Sequence, residues 1–295
     1  MLGEIFFICA ALTCLWHAKQ NGRGHLLAWV GAIIAGTSND LIFMTLPLVD
    51  NFWQAEAMIM LTPRLPLYIP CVYVSFMYLP TVAVWRLKLS PLARAALTGI
   101  AAILLYAPYD IIGAKYLWWT WHDTDVPIAV RLLGVPVGST VWVITFTATF
   151  AWLLGYVKDK DPEVSNKSFL KGLLLVCSLT TLLMMIQMTT IQQVDGGAPG
   201  YFTLIIVLVA YLGFVIRGLR TASREPLAPS DRPLIGLMGA HFALFIFILL
   251  AFDPSAHKST GTHQTTGDCS IEAKDLLGFT RQKFLCVTDF DEDFT

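Results

Sequence analysis

Residues 201–217 read YFTLIIVLVAYLGFVIR, and no charged side chain appears before Arg217. At about 1.5 Å per residue such a run covers most of the roughly 30 Å hydrocarbon core of a bilayer. Backbone amides inside lipid have no water to bond, so a run of this kind must satisfy them within itself, as an α-helix. The same pattern recurs at 2–18, 26–48, 66–86, 93–114, 137–157, 169–191 and 234–252, which gives eight candidate spans.

The composition agrees. The 295 residues are 56% hydrophobic and 14% charged, against about 25% charged for a soluble domain. The fold expected is therefore all-α, a polytopic transmembrane helix bundle over residues 1–253, followed by a polar, acidic-ended tail over 254–295. No nucleic-acid partner is expected, and a plasma membrane or an endomembrane is the expected location. Residues 2–18 lack a basic lead and carry Glu4, so they read as a span rather than a cleaved signal. The short apolar stretch 52–64, FWQAEAMIMLTPR, reads as an interfacial or re-entrant piece.

Basic residues orient the bundle. The loops after spans 1, 3, 5 and 7, with their margins, hold 13 of the 20 Lys and Arg residues, and the short loops on the other side hold Arg64, Lys115 and Arg131. By the positive-inside rule the basic side is cytoplasmic, which places both termini outside or in a lumen. Cys269 and Cys286 in the tail could then pair as a disulfide in an oxidising compartment. Cys9, Cys14, Cys71 and Cys177 lie in apolar runs and read as buried hydrophobes. Asn166, in NKS, falls on the cytoplasmic side, out of reach of glycosylation.

The polar residues of the apolar segments gather toward the non-cytoplasmic side. Asp40 lies about two thirds of the way across span 2, beside Asn39. Asp110 lies near the exterior end of span 4, and Gln187, Gln192, Gln193 and Asp195 near that of span 6. The loop 118–127, WWTWHDTDVP, adds His122, Asp123 and Asp125. Acids within a membrane are costly and usually face a cavity, so a polar cavity is expected there. Trp118 and Trp119 also suit an aromatic belt at headgroup depth.

No cofactor is expected. If a divalent metal were bound, His122, Asp123 and Asp125 would be its ligands, completed by Asp40 or Asp110, but HDTD has no specific metal spacing. His17 and His25 read as interfacial, and His241 as a packed or hydrogen-bonded helix residue. No nucleophile elbow and no phosphate-binding loop is present. What remains is acid–base chemistry by carboxyl groups, with Asp40, Asp110, His122, Asp123 and Asp125 as catalytic candidates. Asn39, Trp119, Trp121 and Gln187 are the candidates for substrate contact.

Three motifs occur in a suggestive order: LPLYIPCVYVSFMYLP at 65–80, YAPYDIIGAKYLWWTW at 106–121 and RLLGVPVGSTVW at 131–142. Together they resemble the carotenoid-biosynthesis membrane family that includes the bacterioruberin-precursor and carotenoid 1,2-hydratases. Asp110 matches that family's helix-end Asp, Trp119 and Trp121 its Trp pair, and Gly134, Val135 and Pro136 its Gly-Val-Pro. The family's second acid, four residues on, is replaced here by Ala114. WWTWHDTD also looks like the signature of an uncharacterised family of animal membrane proteins. The first resemblance implies a polyisoprenoid or other long lipid as substrate, with protonation of a double bond followed by water addition or ring closure. The expectation is thus a lipid-modifying membrane enzyme of hydratase, cyclase or vinyl-ether hydrolase type. A proton- or cation-coupled transporter, channel or receptor is the alternative, although no two-fold repeat is visible.

Overall fold

The computed structural model describes residues 1–45, 52–121, 125–256, 268, 270–274 and 278–283. Eight helices are long and apolar enough to cross a membrane: α1 Leu2–Gln20, α2 Arg23–Thr45, α3 Tyr68–Trp85, α4 Pro91–Lys115, α5 Val137–Lys160, α6 Asn166–Asp195 with its last turn tightened to 3₁₀, α7 Tyr201–Leu219 and α8 Pro229–Ala251. All eight coincide with the apolar runs of the sequence, with ends displaced by a few residues.

Helices α3 and α5 form the centre, with 83% and 72% of their most apolar windows buried, against 22% in α6 and in α8. The outer helices α6, α7 and α8 leave residues such as Leu174, Phe202, Val209, Ile246 and Leu250 exposed. Apolar surface on this scale is what a lipid-facing wall requires. Inside, α4 and α5 approach closely at Gly99, where a Cβ would stand 2.4 Å from the Ile144 carbonyl oxygen. Small residues at helix contacts of this kind are typical of membrane bundles.

Two helices are irregular beside prolines. A π-helical turn, Val74–Tyr78, interrupts α3 just before Pro80. In α4, Pro108 lies inside the helix. A proline disturbs the hydrogen bonding of the preceding turn, and His241 of α8 takes up a carbonyl there, its Nε2 lying 2.7 Å from the Leu105 oxygen. His241 is therefore the hydrogen-bonded helix residue its sequence context suggests.

Four small antiparallel strand pairs complete the fold among the described residues. Strand β1 Phe52–Gln54 pairs with β4 Trp119–Trp121, β2 Met60–Thr62 with β3 Leu65–Pro66, β5 Arg131–Leu132 with β6 Val135–Pro136, and β7 Glu272–Lys274 with β8 Thr280–Gln282. The first three pairs, the start of α1 and the end of α8 lie at one end of the bundle. The stretch 52–64, read from sequence as an interfacial or re-entrant piece, thus holds β1 and the first strand of the β2–β3 hairpin, which ends at Pro66. Glu4 anchors them by accepting the Met58 amide proton at 2.8 Å. The Arg64 guanidinium bonds the carbonyls of Met44 and Phe52, tying the end of α2 to β1.

At the opposite end, His17 is buried. Its ring nitrogens lie 2.6 Å from the Tyr78 hydroxyl and 3.1 Å from Asp231 Oδ1, and Arg86 reaches the same carboxylate oxygen at 2.9 Å. Burial of a histidine is tolerable here because both of its nitrogens find partners. Cys269 and Cys286, the expected disulfide, lie outside the described residues. The described cysteines Cys9, Cys14, Cys71 and Cys177 are free.

Candidate functional site

The chain reaches the site through the end of α4. After Lys115 the Trp118 amide bonds the Gly113 carbonyl at 2.8 Å and the Leu117 amide bonds that of Ala114 at 3.1 Å. This is a Schellman cap, and it holds Leu117 in the left-handed region at φ 52°. The turn launches β4 along the bundle end. Residues facing each other across an antiparallel pair share a face. The register sets Gln54 opposite Trp119 and Phe52 opposite Trp121, so all four side chains turn to the same side.

That side is the wall of a cavity of about 210 Å³. Asn39, Asp40, Asp110, Trp119, Trp121 and Asp125 all line it. Six of the nine catalytic and substrate-contact candidates therefore converge, drawn from α2, α4, β4 and the loop after it. Tyr73 and Phe76 of α3, Tyr106 and Tyr109 of α4 and Trp142 of α5 add aromatic surface. Trp142 stacks on Phe146 with ring centres 5.2 Å apart and meets Tyr106 edge to face at 6.0 Å.

The two acids of the apolar helices are held separately. The Tyr73 hydroxyl donates to Asp40 Oδ1. The Ser139 hydroxyl donates to Asp110 Oδ2 at 2.6 Å. Both carboxyls are buried, and no direct hydrogen bond joins them among the described residues. Glycines let the aromatic walls close in. A Cβ on Gly36, one turn before Asp40, would stand 2.1 Å from the Tyr73 ring, and a Cβ on Gly113, three residues after Asp110, would stand 2.1 Å from the Trp119 ring. Each acid thus sits beside a glycine that seats an aromatic side chain of the cavity.

Other candidates fall elsewhere. Gln187 is not part of the wall. Its amide donates to Thr149 of α5 at 2.8 Å and accepts from Tyr211 of α7 at 3.0 Å, so it ties three helices together. On α6 the cavity face is formed by Met185, Met188, Thr189 and Gln192. Asp195 caps α7, accepting from the Thr203 amide and hydroxyl at 2.7 and 2.6 Å. His122 and Asp123 lie outside the described residues. Among the described residues no group of three His, Cys, Asp or Glu side chains is placed to hold a metal. Trp119 is buried in the wall rather than set in a surface belt, whereas Trp118 packs against Gly3 and Phe245.

Tyr73, Ser139, Gln54 and Trp142 were absent from the sequence-based candidates. Their signal was available only in part. Ser139 and Trp142 lie near the start of span 5, at the depth of Asp110, but nothing in a single sequence fixes the direction in which each points.

Among the described residues, eight helices of membrane-crossing length, five of which line an acid-bearing aromatic cavity, are consistent with a multi-pass integral membrane protein. Within that class the chain belongs to the family described as a domain of unknown function, DUF7802, whose model matches residues 1–295. No curated protein and no solved structure matches it.

Proposed function

We propose that the protein is a membrane-embedded enzyme that carries out acid–base chemistry on a lipid, with its site in the exterior or lumenal half of the membrane and both termini on that side. One observation carries this reading. Asp40 and Asp110, on different spans, are both buried and both line the same aromatic-walled cavity. Buried acids within a membrane mark functional sites by default, because an acid facing lipid is costly.

The chemistry follows from the donors present. One carboxyl, in its acid form, gives its proton to a carbon of an alkene or vinyl ether, forming a C–H bond and leaving a carboxylate. The cation that results lies between aromatic faces, whose negative quadrupole attracts it in a desolvated site. Water then adds to the cation and gives a proton to a carboxylate, or a neighbouring carbon gives its proton to the carboxylate and an isomer results; where a second double bond of the same lipid first attacks the cation, a C–C bond forms and the same proton loss leaves a ring. Tyr73 and Ser139 orient the two carboxyls through their hydroxyls. An isoprenoid or another long-chain lipid fits this scheme, in keeping with the likeness of the three motifs to the carotenoid hydratases.

The test compares lipid extracts of cells with and without the protein by mass spectrometry. The expected difference is a lipid changed by one water or by isomerisation, and it should vanish in Asp110→Asn. Identical extracts would favour a carrier over an enzyme.

A further inference from the structure

The chemistry of the cavity wall also bears on what it accepts. This inference rests on the cavity being the substrate site, but not on the acid–base step. Its described lining includes three carboxyl groups, Asp40, Asp110 and Asp125, and no Lys, Arg or His. The remaining surface is dominated by aromatic rings. Such a wall repels anions, and it combines the two features that recognise an organic cation, a counter-charge and ring faces.

Two further groups point to a ligand. Gln54 is buried, lines the cavity, and its Oε1 has no hydrogen-bond partner among the described residues. The buried Nε1–H of Trp142, also on the wall, likewise has none. Buried polar atoms left unbonded are costly, so such atoms in a cavity call for a partner. Gln54 Oε1 asks for a donor and Trp142 N–H for an acceptor. Size narrows the choice. At about 210 Å³ the space is smaller than the roughly 300–1,000 Å³ of sites for drug-sized molecules, so it holds a headgroup-sized fragment.

From these features we infer that the cavity is an organic-cation site that takes the ammonium group of an amino-alcohol, either free or as the headgroup of a lipid. The ammonium group lies between the carboxyls and the faces of Tyr106, Trp119 and Trp142, and the oxygen of the amino-alcohol accepts from the Trp142 Nε1–H. A primary ammonium also donates to Gln54. Two carboxyls permit both tasks, because one can balance the charge while the other carries a proton.

The experiment uses the full chain in nanodiscs of phosphatidylglycerol, which has no ammonium headgroup. Choline, ethanolamine and 3,3-dimethylbutan-1-ol, the neutral isostere of choline, are titrated while tryptophan fluorescence is followed. Both amines should saturate the signal, with the neutral isostere at least tenfold weaker. This comparison needs no variant. Gln54→Leu should weaken ethanolamine several-fold and leave choline unchanged, since only ethanolamine has N–H donors. Equal binding of choline and its isostere, or no saturable binding by either amine, would overturn the inference. A lysophospholipid with a choline headgroup that binds more tightly than choline identifies a lipid as the source, and equal binding identifies a free amine. The outcomes separate the two readings. Lipid turnover without ammonium selectivity refutes the cation site alone, and ammonium selectivity without lipid turnover refutes the acid–base enzyme alone.

Discussion

Replacing Gly36 by alanine tests how the cavity is assembled. The added Cβ would stand 2.1, 2.2 and 2.6 Å from three ring carbons of Tyr73, where carbon atoms settle at about 3.5–4.0 Å. The ring must retreat by roughly 1.5 Å on this comparison, which carries its hydroxyl away from Asp40. Overpacking costs about 1–3 kcal/mol, and leaving a buried carboxyl without its donor adds about 1–3 kcal/mol. Gly239→Ala is the control. Its Cβ meets nothing within 4 Å, so the better helix propensity of alanine should stabilise by about 0.5–1 kcal/mol. Thermal unfolding in nanodiscs, followed by tryptophan fluorescence, reads both. Gly36→Ala should lower the midpoint by on the order of 10 °C and abolish lipid turnover, while Gly239→Ala should raise the midpoint slightly and keep turnover. A Gly36→Ala protein as stable and active as the parent would refute the seating of Tyr73 on α2.

Further expectations concern other parts of the chain. Leu133 is exposed and left-handed at φ 55°, in the two-residue turn it forms with Gly134 between β5 and β6. Leu133→Asn should therefore stabilise by about 0.5–1 kcal/mol, and an unchanged or lower unfolding midpoint would contradict that. The Ser168 and Ser165 contacts around Asp161, between α5 and α6, hold its carboxyl down at about 2. A depressed carboxyl stabilises the fold above its unfolded value of about 3.9, and the benefit is lost as pH falls toward 2. The stability advantage over Asp161→Asn should accordingly shrink between about pH 4 and pH 2, and an equal advantage at pH 5 and pH 2 would show the contacts to be idle. A reporter fused after Thr295 should read as exterior or lumenal and one placed in 158–167 as cytoplasmic, from the 13-to-3 division of basic residues. The opposite result would overturn the orientation.

The sequence made the spans legible because length and apolarity are properties of a run, independent of its neighbours. Depth was legible for the same reason. Asp40, Asp110 and Asp125 all fall toward the same end of the spans or in the loop beyond it, and the structure sets all three on one cavity. Azimuth was not legible. Gln187 lies at a suitable depth, but the cavity face of α6 runs through Met185, Met188, Thr189 and Gln192 in the i, i+3, i+4, i+7 pattern of a helix stripe, and Gln187 falls outside it. Strands of two or three residues, such as Phe52–Gln54, are too short for any alternation to show, and β1 exists because β4 lies beside it. The burial of His17, near a span end, was not legible either. Its burial depends on Tyr78 and Asp231, residues 61 and 214 positions away.

Proton transfer to carbon is the central claim, and deuterium reports it directly. Purified protein in nanodiscs containing a total lipid extract, incubated in D2O, should place one deuterium on a carbon of the converted lipid. The label should appear with the parent protein and be lost in Asp110→Asn and Asp40→Asn proteins that keep their unfolding midpoints. A lipid converted without carbon-bound deuterium, or labelled equally by both variants, would contradict acid–base catalysis by the carboxyls of this cavity.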